Sequence, residues 1–294
     1  VNTQIAERFE TLRPFLVRHA YRMLGEYGEA EDVVQDAYLR WSEASAKQPV
    51  ADDRAFLRTT VTRLCVDRLR SARARREVYV GPWLPEPVVS DIKDDPEAST
   101  LLADDISFAL LLALERLAPL ERAAFLLHDA LSVPFDEVAQ TLGRSEAAVR
   151  KLASRAREHV HDATRRSPTN REEALRLRDA FLEALNKDDA QALQRLLTED
   201  VVFVSDGGGK VPAAMVPVSG PDRVTQLLMG LKRKGAAGLR RVDMVSLNGL
   251  PGFALYSDAG LETAMALEVV DGRIAAMYAV RNPDKLHRIS ESLS

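Results

Sequence analysis

The chain has 294 residues, 46% hydrophobic and 29% charged, the composition of a globular protein with room for about two domains. A single cysteine, Cys65, excludes an intrachain disulfide framework, and no run approaches the roughly 18 apolar residues that a membrane-spanning helix needs. A net charge of −4 excludes a protein that is basic throughout; with no signal-peptide pattern, these features predict a cytoplasmic protein without membrane contact.

Residues 4–77 read as helical. In "AEDVVQDAYLRWSEA" (30–44) apolar residues fall at 33, 34, 37, 38 and 41, the spacing of one helix face, and the opposite face carries Asp32, Gln35 and Asp36. In "AFLRTTVTRLCVDRLRSARARRE" (55–77), Phe56, Leu57, Val61, Leu64, Cys65 and Leu69 form a stripe, with Cys65 read as a small buried residue. Residues 54–76 hold eight arginines against one acid, among them Arg58, Arg63, Arg68, Arg70, Arg73 and Arg75. Residues 78–100 carry five prolines or glycines and read as a linker, with "WLPEP" at 83–87. Its two nearest prolines stiffen Trp83, Leu84 and Pro85 into an extended form, and a tryptophan there predicts docking on a domain.

Helical periodicity resumes over 101–166. Within it, "PFDEVAQTLGRSEAAVRKLASRAREHV" (134–160) places two helices around Leu142-Gly143-Arg144-Ser145, where glycine supplies the turn and serine the next N-cap. This is helix-turn-helix grammar. On the second helix Val149, Leu152 and Ala156 face inward, while Glu146, Ala147, Arg150, Lys151, Ser154 and Arg157 face out. A helix with cations away from its apolar stripe can lie along a phosphate backbone. Two such helices on separate modules suit a protein that meets duplex DNA at two places.

From 171 the grammar changes. Two helices broken near Lys187-Asp188 precede strands at "VVFVSD", "VPAAMVPVSG", "LRRVDMVSL", "FALYSD", "TAMALEVV" and "RIAAMYAVR", with Asp271-Gly272 as a hairpin turn. Helices followed by mostly antiparallel strands predict an α+β domain over 171–290, a curved sheet wrapped on helices. The stretch Asp206-Gly207-Gly208-Gly209-Lys210 is no P-loop: the spacing is short and Val211 follows the lysine. Asp206 and Asp258 stand at strand ends, where acids are commonly solvated.

Residues 9–160 resemble a bacterial sigma factor of the extracytoplasmic-function group, which has only the second and fourth sigma regions. "AEDVVQDAYLRW" resembles the polymerase-binding helix of region two, "AFLRTTVTRLCVDRLRSARARRE" its −10-reading part, and "FDEVAQTLGRSEAAVRKLASRAR" the −35-reading region four. "WLPEP", D-G-G-G-K and "NPDK" (282–285) together resemble a subgroup with a SnoaL-like C-terminal extension, a cone-shaped α+β fold of the nuclear-transport-factor-two kind. The resemblance implies core RNA polymerase and promoter DNA as partners, with Asp32, Gln35 and Asp36 docking on polymerase. It also implies regulation in cis by the cone. On that reading Trp83, Leu84, Pro85, Asp206, Gly207, Gly208, Gly209, Lys210, Asn282, Pro283, Asp284 and Lys285 form a contact surface for the sigma modules.

Two other readings stand beside it: a ligand-sensing helix-turn-helix regulator that acts without polymerase, and a cone-domain cyclase or isomerase. For the latter, Glu268 and Tyr278 on adjacent strands are the candidate pair, with cross-strand packing the plainer reading. No metal-ligand spacing is present, no cofactor and no catalytic residue is assigned, and a small ligand for the cone is left open.

Overall fold

The computed structural model describes residues 2–76, 79–89, 107–164, 170–235 and 238–293, without the side chains of 2–5, 72–76 and 161–164. The chain forms two compact units, Val1–Val78 with Ala109–Arg165, and Tyr79–Phe108 with Arg166–Ser294.

The first unit is all-α. Helices α1 (Asn2–Leu24), α2 (Tyr27–Lys47) and α3 (Asp53–Arg76) pack against one another. Each buries the stripe its 3.6-residue period predicts: Leu16, Ala20 and Leu24; Val33, Val34, Ala37 and Trp41; Leu57, Val61, Cys65 and Leu69. The Trp41 indole donates to Asp53 Oδ1 at 2.9 Å, which fixes the start of α3 on α2. Then follow α4 (Phe108–Glu115) and α5 (Pro119–Phe125), the latter running into a π-turn at Leu126–Ala130. Helices α6 (Phe135–Leu142) and α7 (Glu146–Thr164) complete the unit. Ala124, Leu127, Val133, Val138, Ala139, Val149 and Ala153 form the core of this second module. Arg122, 3% exposed, joins the two modules: it donates to the carbonyl of Met23 at 2.6 Å and to Glu115 at 3.0 Å.

The second unit is α+β. Helices α8 (Arg171–Asn186) and α9 (Ala190–Arg195) lead into β1 (Leu197–Asp206). Next come β2 (Val218–Ser219), α10 (Pro221–Gly235), β3 (Arg241–Leu247), β4 (Leu250–Ser257), β5 (Gly260–Val270), β6 (Arg273–Val280) and α11 (Pro283–Ser292). The six strands form one sheet in the order β2-β1-β6-β5-β4-β3, antiparallel except for the parallel pair β1–β6. One face carries Phe203, Phe253, Met265, Leu267 and Met277, which pack with Phe181, Leu193, Val224 and Leu228 of the helices. On the other face the register sets Val204 and Asp206 beside Tyr278 and Val280, and these beside Ala266 and Ala264.

One expectation changes here. The stretch 211–217 is not a strand; only Val218–Ser219 pairs, because Pro212 and Pro217 cannot donate to a ladder. Residues 79–89, read as a linker that docks on a domain, are packed within the second unit: Val89 bridges Leu247 antiparallel, and Val88 and Asn248 exchange hydrogen bonds at 3.0 and 2.9 Å. Among the described residues no helix is long and apolar enough to cross a membrane.

Candidate nucleic-acid interface and linker clasp

Asp32, Gln35 and Asp36 lie exposed on one side of α2 because Val33, Val34, Ala37 and Trp41 take the other. The Asp36 carboxylate is 3.8 Å from Arg68 of α3, both groups well exposed. Four of the arginines of α3 fall into three sets. Arg58 pairs with Glu137 of α6 at 3.0 Å and is nearly covered. Arg63 donates from Nε and Nη2 to the carbonyls of Thr141 and Gln140, at 2.8 and 2.9 Å, at the C-terminal end of α6, where the helix dipole favours a cation. Thr59 and Thr141 hydroxyls meet at 3.3 Å. Arg68 and Arg70 sit on the surface beside Asp36 and Asp67. The side chains of Arg73 and Arg75 lie outside the described residues.

Beneath α3, buried His19 shares a hydrogen bond with Thr62 at 2.8 Å; burial, with Arg22 and Arg58 nearby, lowers its pKa to about 3, so the ring is neutral. Burial pushes the Cys65 thiol up, which leaves it inert.

The turn between α6 and α7 is built as its sequence requires. Gly143 takes φ 61°, and Ser145 Oγ accepts from the Ala148 amide at 3.3 Å. Val149, Ala153 and Ala156 are buried, whereas Glu146, Ala147, Arg150, Lys151, Ser154 and Arg157 are exposed along α7. Arg157 is drawn back to Asp129 at 2.6 Å. Arg150 meets Glu146 and lies over the ring of Phe135.

In the second unit the residues of three separate sequence motifs meet at one carboxylate. Asp206 is fully buried, which corrects its reading as a solvated strand-end acid; Asp258 fits that reading, exposed and paired with Arg240 at 2.8 Å. Asp206 Oδ1 accepts from Tyr79 Oη at 2.6 Å and from the Gly208 amide at 3.0 Å. Its Oδ2 accepts from the Leu84 amide at 2.9 Å and from Lys285 Nζ at 2.8 Å. Lys285, itself buried, also donates to the Leu84 carbonyl at 2.6 Å and lies 4.4 Å from the centre of the Trp83 ring. Leu84 is fully buried, with Pro85 and Pro87 buried beside it in sequence.

The glycines make this approach possible. Gly208, at φ 61°, faces Asn282, where a Cβ would come within 2.4 Å of the amide nitrogen; a Cβ on Gly207 would strike the Val211 carbonyl. Asn282 caps α11 by accepting from the Asp284 amide at 3.1 Å and donates to Tyr79 Oη at 3.0 Å, with Pro283 at the first helical position. Lys210 reaches Asp284 at 2.5 Å on the surface. Asp206 thus pairs with Lys285, and Lys210 with Asp284.

Tyr79 and Asn248 were not found by sequence reasoning. Both are single polar residues whose partners are far along the chain, and no local pattern marks them. Glu268 and Tyr278 do meet, Oη to Oε2 at 2.5 Å, and Phe108 stacks on the Tyr278 ring with centres 5.2 Å apart. The contact is a buried cross-strand hydrogen bond under an aromatic cover.

Two basic helices on adjoining helical modules, one of them the second helix of a helix-turn-helix, define a DNA-binding transcription factor, and a cone that grips the segment joining those modules marks a particular kind. The family models for Sigma-70 region 2 and Sigma-70, region 4 match residues 8–75 and 107–160. The chain is 42% identical over 292 residues to the ECF RNA polymerase sigma factor SigJ of Mycobacterium tuberculosis, covering 94% of this chain and 91% of that protein. It is 30% identical over 285 residues to the probable ECF RNA polymerase sigma factor SigI of the same species, with 96% and 94% covered. The crystal structure of M. tuberculosis SigJ superposes with a TM-score of 0.77 at 39% identity, over 96% of this chain and 98% of that one. The chain belongs to the extracytoplasmic-function RNA polymerase sigma factors, and directs RNA polymerase to promoters as they do.

Proposed function

We propose that α2 docks on core polymerase through Asp32, Gln35 and Asp36, that α3 meets the −10 element through Arg58, Arg63, Arg68, Arg70, Arg73 and Arg75, and that α7 reads the −35 element through Glu146, Ala147, Arg150, Lys151, Ser154 and Arg157. The cone regulates these modules in cis, by holding the segment that joins them. One observation carries the regulatory part: a fully buried Asp206 that gathers Tyr79, the Leu84 amide and Lys285. A free linker has no use for a buried ion pair.

On this reading the first unit has to open. The −10 and −35 elements are about 25 base pairs apart, roughly 85 Å at about 3.4 Å per pair. Arg63 hydrogen-bonded to the end of α6 holds the two DNA-reading modules together instead. The packed form is therefore the resting form, and polymerase binding supplies the free energy that separates the modules. The cone acts as a holder and not as a catalyst; the Glu268–Tyr278 pair under Phe108 is used for packing.

Run-off transcription with purified core polymerase tests the scheme. Full-length chain is expected to initiate specifically, and a chain ended near residue 166 to initiate with altered output. Equal output from both removes the cis-regulatory role, while tight specific duplex binding without core polymerase favours a regulator that acts alone.

A further inference from the structure

Arg150 is exposed, yet it is not a loose surface charge. Its Nε and Nη2 both lie on Glu146 Oε1, at 3.1 and 2.5 Å, one helical turn back on α7. Its guanidinium carbon lies 4.3 Å from the centre of the Phe135 ring, at the start of α6. Phe135 is itself fixed: it stacks on His128 with ring centres 3.6 Å apart, and His128 Nδ1 meets the Val133 carbonyl at 2.9 Å. A stacked ring and a carboxylate thus hold a side chain that otherwise samples many rotamers.

The hold leaves a defined edge. A guanidinium has two edges that present a pair of parallel N–H groups. Glu146 takes the Nε–Nη2 edge, which leaves the Nη1–Nη2 edge for another partner. Among base edges in the major groove, guanine alone offers two adjacent acceptors, O6 and N7; adenine offers an acceptor beside a donor and cannot accept both N–H groups. A preset guanidinium also gives up less rotamer freedom on binding.

We propose that Arg150 reads one guanine of the −35 element through its Nη1–Nη2 edge, and that Phe135 and Glu146 are positioning residues that set its base preference. The inference rests on α7 being the −35-reading helix.

The test uses full-length chain with core polymerase on promoters in which each −35 base pair is replaced singly by the other three. Wild type should show one guanine whose replacement lowers run-off output about tenfold, the discrimination typical of a bidentate arginine contact. Arg150→Ala should make the four bases equivalent at that pair while keeping the preferences elsewhere. Phe135→Leu should shrink the guanine preference to about twofold, and Phe135→Tyr, which keeps the ring face, should restore it. If Arg150→Ala leaves every base preference intact, the guanine assignment is wrong. A Phe135→Leu loss spread evenly over all promoters makes Phe135 a core residue only, which overturns the positioning role. If the wild-type holoenzyme initiates with no −35 base preference at all, the reading of α7 fails, and this inference fails with it.

Discussion

Asp206→Ala is the most direct probe of the clasp. The substitution removes the acceptor for Tyr79, for the Leu84 and Gly208 amides and for Lys285, and strips a buried ammonium of its carboxylate. Breaking a buried ion pair from one side costs about 3–5 kcal/mol, because the remaining charge stays desolvated. The lost hydrogen bonds share members with that pair, so their costs do not add in full. At about 2–4 °C per kcal/mol for a domain of roughly this size, the second unit should melt about 6–20 °C lower. Asp206→Asn keeps one acceptor oxygen but turns the other position into an NH2 donor that faces two donors, so it should also destabilise the second unit. Thermal unfolding followed by circular dichroism reads the stability, and amide hydrogen exchange at Leu84 reads the clasp itself. A melting temperature within about 2 °C of wild type, with Leu84 still protected, would falsify the central place given to Asp206.

Two glycine substitutions should have opposite signs. Gly208→Ala meets Asn282 at 2.4 Å from a left-handed backbone and should destabilise the second unit by more than about 1 kcal/mol, whereas Gly230→Ala, in α10 with open space around it, should stabilise by up to about 1 kcal/mol. Urea titration of both variants checks this; equal effects would mean that the backbone at 208 relaxes. His19 gives a pH dependence. Its folded pKa, about 3, lies below its ordinary 6.5, so its contribution is whole above pH 6.5 and is lost as pH falls toward 3. Between pH 6.5 and 5 the first unit should lose roughly 2 kcal/mol through this group, and His19→Gln should flatten that segment of the stability curve.

The helices were legible because their signals are local. A 3.6-residue stripe suffices to place α2, α3 and α7, Gly143 and Ser145 mark the junction of α6 with α7, and Asp271-Gly272 turns with φ of 48° and 71°, as a two-residue hairpin requires. The motif residues of the clasp were also found, but not its chemistry. Asp206 beside glycines reads locally as a solvated acid; what buries it is Tyr79, 127 positions away, and Lys285, 79 positions away. The same holds for α3, where sequence identifies Arg58 and Arg63 as cations and says nothing of the α6 carboxylate and carbonyls that receive them. The parallel β1–β6 pair is of this kind too, since pairing direction leaves no trace in alternation. Residues 211–217 misled for another reason: valine and alanine read as strand, yet Met215 and Val216 are exposed.

The clasp has a consequence for promoter spacing that chain length alone makes quantitative. From Arg76 to Phe108 there are 31 intervening residues, which reach at most about 105 Å when extended. The cone holds this segment at both ends, at Tyr79–Val89 and at Phe108, so while the clasp is closed the residues between those anchors add nothing to the reach from Arg76 to Ala109. Against the roughly 85 Å between elements, a closed clasp leaves little slack beyond the breadth of the modules themselves, while an open one leaves ample. Wild-type factor should therefore show a narrow optimum when the −10 to −35 spacer is varied in single base pairs, each about 3.4 Å. Leu84→Asp forces a charge into a fully buried site and should free the segment, and Asp206→Ala should do the same by a different route. Both are expected to broaden the optimum by about two base pairs on each side, read by run-off transcription across a spacer series. If both variants initiate with the wild-type profile, the cone does not govern the reach of the two modules, and its hold on the segment serves stability alone.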